Sequence, residues 1–243
     1  MIYKAYSFDL DDNLLLMPSK IYLENQDGKE EIFETLEFEK IRPKLKELNL
    51  KIKKDSYKEF TGRRIILKQI KDAKHAGSWR NLVKCISKHA SVFSIITTRK
   101  HPLKILKKAI KIKILKDFSK KDLENFKINY CKKYNINPKN KQVKRLLSEY
   151  LNKCKFYPIS NKKIKKKFNW QDLSDLKVEC FKDFKKYLIN HVKENFGENI
   201  EIRIGFSDDS LTHLNKMTSC LKKEDGLYFY QTINGKKKPF PHN

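Results

Sequence analysis

Residues 3–16 read YKAYSFDLDDNLLL, and the way this stretch folds decides the rest of the chain. A run of aromatic and apolar residues stops abruptly at three carboxylates, Asp9, Asp11 and Asp12. The predicted structure is a buried strand that delivers acids to its carboxyl end, where open α/β sheets gather their functional groups. Side chains alternate along a strand, so Asp9 and Asp11 are expected on the same side. Like charges held that close repel unless a cation or a shared proton sits between them. The arrangement suits a carboxylate nucleophile beside a second carboxyl that donates and accepts protons, both organised by Mg2+. The competing account is a surface turn, because Asp-Asp-Asn after a strand is ordinary turn chemistry. What other strands carry at their ends decides between the two.

Composition sets the bounds. The 243 residues fit one domain with insertions, or a core plus a smaller second domain. With 15 Phe and 11 Tyr the chain has enough buriable area to exclude wholesale disorder. No run of about 18 apolar residues occurs, which excludes a spanning helix, and the N-terminus does not read as a secretory signal. Five scattered cysteines, Cys85, Cys131, Cys154, Cys180 and Cys220, form no CxxC pair. They indicate neither a zinc site nor a disulfide framework, and suit reduced thiols in a cytoplasmic protein. The formal charge of +26 points to anionic partners, nucleic acid among them. Yet only seven of the 55 basic residues are Arg, whereas bidentate recognition of phosphates and bases favours Arg. AT-biased coding accounts for such lysine equally well.

Residues 20–33 alternate around Asp27-Gly28 and predict a β-hairpin, a flap of about residues 20–35 hanging over the acidic turn. Beyond it, Leu36, Ile41, Leu45 and Leu48 suggest a helix that Pro43 does not suit, within a helical insertion spanning about 36–76. Ser78 is placed to cap a helix through Trp79, Leu82, Val83 and Ile86. Residues 91–98, SVFSIITT, form a continuous β-branched run and predict a second buried strand. Thr97 or Thr98 at its end, with Arg99 after it, suits contact with phosphoryl oxygens. His101, beside Arg99, is the histidine nearest a motif. A helix is expected over 102–112. The Lys-rich segment 117–170, with a helix near 141–151 and the basic run NKKIKKKF at 161–168, is expected to be an inserted cap or excursion. Residues 172–196 give the clearest helical stripe, with Ser174 a plausible cap, Gly197 a stop and Lys177 in the first turn. A third strand, EIRIGF at 201–206, ends in Ser207-Asp208-Asp209 and is followed by a helix over 210–221. Residues 226–233 read as a last strand, and 234–243 as a loose basic tail.

Three apolar strands thus end in DLDDN, TTR and SDD, with a helix-initial lysine before the last. This ordered set resembles the haloacid dehalogenase-like (HAD) superfamily of phosphohydrolases. The first motif of that superfamily, Asp-x-Asp-x-Thr after a strand, is matched by Asp9 to Asn13, with Asn13 where Thr is usual. The second, a strand ending in Thr or Ser, is matched by Thr97. The third, a lysine at a helix start, is matched by Lys177 in preference to Lys182. The fourth, an acidic pair after a strand, is matched by Asp208 and Asp209. The resemblance implies a doubly wound, Rossmann-like, mostly parallel sheet over 1–116 and 171–233, with a flap hairpin and an inserted, mainly helical cap. It also implies Asp9 as nucleophile, Asp11 as acid and base, and phosphoryl contacts from Thr97 and Lys177. Mg2+ would be held by Asp9, Asp11 (through its backbone carbonyl), Asp208 and Asp209. The expected substrate is a phosphorylated metabolite, a nucleotide or a nucleic-acid end. A basic anion-binding protein with little catalysis is the alternative.

Overall fold

The computed structural model describes residues 2–60, 62–169, 172–221 and 226–241, the side chains of Leu36 and Glu39 excepted. The chain enters through β1 (Ile2–Phe8), whose buried Tyr3 and Ala5 alternate with exposed Ile2 and Lys4 before Ser7 and Phe8 are both enclosed. After the acidic turn come β2 (Leu15–Leu16), β3 (Lys20–Glu24), β4 (Glu30–Glu34), α1 (Thr35–Ile41) and β5 (Lys51–Ile52). The chain continues through α2 (Arg63–Asp72), β6 (Lys74–His75), α3 (Trp79–Val83) and β7 (Phe93–Thr97). Then follow α4 (Leu103–Asp117), α5 (Lys120–Lys133), α6 (Val143–Lys153), β8 (Lys155–Pro158), α7 (Lys162–Phe168) and α8 (Leu173–Phe196). The last elements are β9 (Glu201–Asp208), α9 (Leu211–Cys220), β10 (Leu227–Ile233) and β11 (Lys236–Phe240).

The main sheet has the order β11-β10-β9-β1-β7-β8. Every pairing is parallel except the one between β10 and β11. β7 is buried at all five positions, as a continuous Phe-Ser-Ile-Ile-Thr run inside a covered parallel sheet requires. From β1 the chain builds outward through β7 and β8, then returns to add β9 and β10 on the other side. The strand order reverses between β1 and β9, and such a reversal leaves a crevice outside the carboxyl ends of the two strands. Both strands end there in aspartates.

A small second sheet, β4-β3-β5, carries the expected hairpin, with Lys20 paired to Glu34 and Glu24 to Glu30. It has its own apolar cluster of Ile21, Leu23, Phe38 and Leu50, edged by Phe33, Tyr57 and Phe60. The helix expected over 36–48 stops at Ile41. Pro43 lies in a 3-10 turn over Arg42–Lys44 and Leu48 is exposed, because proline cannot continue the α-helical ladder.

Two expectations about the Lys-rich regions are corrected. Residues 120–158 are not a cap. Helices α5 and α6 lead into β8, which extends the main sheet by pairing with β7 from Ser94–Lys155 to Thr97–Pro158. Phe126, Tyr130, Leu146, Leu147, Tyr150 and Phe156 lie in the same core cluster as Phe8 and Phe93. Dense surface lysine masked this buried stripe in the sequence. Nor are residues 236–240 loose, since β11 pairs along β10 from Phe229–Phe240 to Ile233–Lys236. Among the described residues no helix is long and apolar enough to cross a membrane.

Candidate active site

β1 runs into a tight turn in which Asp9 N–H still donates to the Ser207 carbonyl (2.9 Å), prolonging the pairing with β9. Leu14 and Leu15 N–H both return to the Leu10 carbonyl, and Asn13 N–H donates to that of Asp11 (2.7 Å). Asp12 takes φ 57°, a left-handed conformation that Asp tolerates better than most residues. The turn sends Asp9 and Asp11 to different neighbours, where simple strand alternation had placed them together.

Asp9 enters a buried charge cluster. Lys177 Nζ donates to Asp9 Oδ1 (2.7 Å) and to Asp208 Oδ2 (2.6 Å), with His213 Nδ1 at 3.0 Å. Carboxylate oxygens of Asp9, Asp208 and Asp209 all lie within 4.8 Å of one another. Burial alone would raise the Asp208 carboxyl, but Lys177 and His213 outweigh it and hold it at about 2. For Asp9, burial wins, reinforced by Asp208 and Asp11 against the opposing charge of Lys177, and its carboxyl stands well above the usual range. Burial, then the charges of Asp9 and Asp208, push Asp209 up to about 9. Burial would lower the Lys177 ammonium; the two aspartates it bridges keep it above its ordinary value. Lys177 thus bridges two of the three acids, while burial and like charge favour the neutral forms of Asp9 and Asp209.

Asp11 belongs to an adjoining group. Arg99 Nη2 and Nε donate to its Oδ1 (2.6 and 3.0 Å), Nε reaches Oδ2 at 3.1 Å, and Thr97 Oγ1 donates to Oδ2 (3.3 Å). Arg99 is 1% exposed, whereas Asp11 is half-buried. Arg99, expected to face a phosphate, is engaged with this carboxylate. Thr97 is in the group; Thr98 is exposed and joins none of the hydrogen bonds described here. The carboxylate of Asp11 pairs with Arg99 and is not among the oxygens of the metal-sized cluster, which leaves its backbone carbonyl as the ligand atom the resemblance implies.

Asn13, which departs from the motif, ties the two loops together. Its Nδ2 donates to the carbonyls of Asp9 and Ser207 and to Ser207 Oγ, each at 3.0 Å. Its Oδ1 accepts from Ser78 Oγ (2.9 Å) and Thr232 Oγ1 (2.7 Å). Ser78 therefore spends its hydroxyl here, and no side-chain cap bond forms at the start of α3. Asn13→Ala would strand several buried groups at once, and unfolding in urea is expected to show a loss of about 2–3 kcal/mol. An unchanged midpoint would mean that the turn holds without it.

Lys177 lies in the second turn of α8, and Asp172 is the cap, accepting from Ser174 N–H (2.8 Å) and Asp175 N–H (2.9 Å). The affinity of lysine for this position comes from the two aspartates rather than from the helix end. Sequence reasoning did not single out His213, Ser19, Gln69 or Thr232, and it read Ser78 only as a helix cap. His213 was within reach, since it follows the acidic pair by about one turn of α9; the others reach the site by tertiary folding alone.

Comparison of the chain with protein-family models, with curated proteins and with solved structures finds no match.

Proposed function

We propose that the chain is a Mg2+-dependent phosphohydrolase of HAD type that works through an aspartyl-phosphate on Asp9. The observation that carries this reading is the convergence of Asp9, Lys177, Asp208 and Asp209, drawn from β1, α8 and the end of β9, in one buried cluster. The cluster suits a hard divalent cation: its donors are all carboxylate oxygens, and its acids exceed its one lysine. Bound by Asp9, Asp208 and Asp209, with the Asp11 carbonyl as the resemblance implies, Mg2+ would neutralise charge on the acids and on a phosphoryl group.

In this reading an Asp9 oxygen attacks phosphorus as the bond to the leaving oxygen breaks, and Asp11 delivers its proton to that oxygen. Water then attacks the phosphoryl group and gives its proton to Asp11, and Asp9 leaves as carboxylate. Lys177 and Thr97 steady the phosphoryl oxygens where negative charge gathers. The insertion carrying β3, β4, α1 and β5 is the cap of this doubly wound core, with the β3–β4 hairpin as its flap. A panel of phosphorylated metabolites, nucleotides and 3′- or 5′-phosphorylated oligonucleotides tests the reading. Turnover that appears with Mg2+ and disappears with a chelator is expected; inertness across the panel in Mg2+ would remove it.

Among substrates, one feature favours nucleic-acid ends. Helix α7 carries Lys162, Lys163, Lys165, Lys166 and Lys167, and no acid occurs between Glu149 and Asp172. It follows the carboxyl end of β8, and Asn161 Nδ2 at its start donates to the Lys100 carbonyl beside Arg99 (3.0 Å). These lysines therefore stand at the site's end of the sheet, where a phosphate backbone would meet them. Oligonucleotide binding that weakens steeply with salt supports this substrate class. Binding that survives with no turnover would favour the non-catalytic alternative.

A further inference from the structure

Arg99 links Asp11 to the insertion as well as to the core. Its Nη2 donates to Ser19 Oγ (2.6 Å), its Nη1 donates to Gln69 Oε1 (3.3 Å), and its guanidinium lies 4.9 Å from the centre of the Phe60 ring. Ser19 opens the insertion, Phe60 edges its apolar cluster, and Gln69 stands on α2 just behind it. The far side of Gln69 continues outward. Its Nε2 donates to Glu59 Oε2 (3.2 Å), and Glu59 also accepts from Lys20 N–H (3.0 Å) and from the Tyr22 hydroxyl (2.5 Å), both on β3. The amide of Gln69 is thereby oriented from both ends, with its carbonyl toward Arg99 and its NH2 toward Glu59.

We propose that the seated hairpin positions the proton-donating carboxyl of Asp11 through the relay Tyr22–Glu59–Gln69–Arg99, and that Gln69 and Ser19 are positioning residues for it. The inference rests on the reading of Asp11 as the acid and base of a phosphohydrolase. Arg99 is buried, so its unused N–H groups need acceptors. Apart from Asp11, the acceptors it finds among the described residues are the side chains of Ser19 and Gln69, rather than backbone carbonyls fixed by the core. Asp11, by contrast, has 14% of its side chain exposed, enough to meet a substrate. Glu59 lies on the turn after β5, and its bonds to Lys20 and Tyr22 tie that turn to β3. If the insertion lifts as a unit, Arg99 loses Ser19, and Gln69 loses the carboxylate that orients it. The plane that aligns Asp11 goes with them. Closure over a substrate and assembly of the acid are then one event, and an open site is a poor proton donor.

The test separates positioning of the acid from general damage. An alkyl phosphate needs its leaving oxygen protonated, whereas p-nitrophenyl phosphate expels a stable phenolate with little help. Gln69→Leu and Ser19→Ala, assayed with Mg2+ on ethyl phosphate and on p-nitrophenyl phosphate, are expected to slow kcat for the alkyl ester at least about fivefold more than for the aryl ester. Ser19→Ala removes a single hydroxyl and keeps the test open should Gln69→Leu fold poorly. Equal slowing of both esters, or no slowing of either, would overturn the relay while leaving the phosphohydrolase reading intact. A wild-type protein inert in Mg2+ toward both esters and across the whole panel of phosphorylated compounds would overturn the two together.

Discussion

Asp9→Asn should cut phosphate-ester turnover on the order of 10⁴-fold or more, because the amide cannot form the acyl phosphate. The fold should survive. Burial and the neighbouring acids already favour the neutral form of Asp9, and asparagine keeps an oxygen for Lys177 to approach. Steady-state kinetics on the best substrate of the panel, beside a urea titration of both proteins, separates the two effects. In the wild type, mass spectrometry after an acid quench should find phosphate on the peptide containing Asp9. A fully active Asp9→Asn protein would assign the nucleophile elsewhere.

Lys177→Met should be the most destabilising substitution in the site. It leaves Asp208, whose side chain is wholly buried, without the ammonium that holds it ionised. Removing one partner of a buried ion pair typically costs about 3–5 kcal/mol, visible as a lower urea midpoint with an unchanged slope. The sign of the pH dependence follows from the depressed Asp208 carboxyl. Its contribution in the wild type is complete above the ordinary Asp value of 3.8 and is lost as pH falls through about 2. Without Lys177 that acid-labile window should move upward. Millimolar Mg2+ should restore part of the stability, since a bound cation favours the folded state that holds it. A midpoint unmoved by the substitution would show that the acids are already neutral and that Lys177 is dispensable.

The residues on strands were the readable part of this site. Asp9, Thr97, Asp208 and Asp209 sit at the ends of apolar runs, and a parallel sheet must gather such ends along one edge. Lys177 was readable from its place near the start of a strong helical stripe and from the motif it matches, although it lies in the second turn of α8 rather than the first. The position of Arg99 was legible, but its role was not, because its partners Ser19 and Gln69 come from an insertion whose course no local pattern fixes. Asn13 illustrates the same limit. As a substitution in a motif it looked like a small change, yet its amide bridges β1, β9, β10 and the start of α3. The larger misreading concerned residues 117–170. Lysines such as Lys113 and Lys133, whose long stems lie along buried surface, flattened the contrast between the inner and outer faces of α4 and α5. The second edge strand of the sheet was hidden behind them.

The outermost strand, β11, has a consequence for the life of the protein in solution. A parallel sheet whose last strand was β10 would present the unpaired flank of Leu227–Ile233 to any other extended chain. Here that flank is covered by Lys236, Lys237, Lys238 and Pro239. Clustered ammonium groups repel a second copy, and proline has no N–H to offer it. The rim of the sheet thus ends in lysines and a proline rather than in an open apolar edge, features that disfavour strand pairing with a second copy.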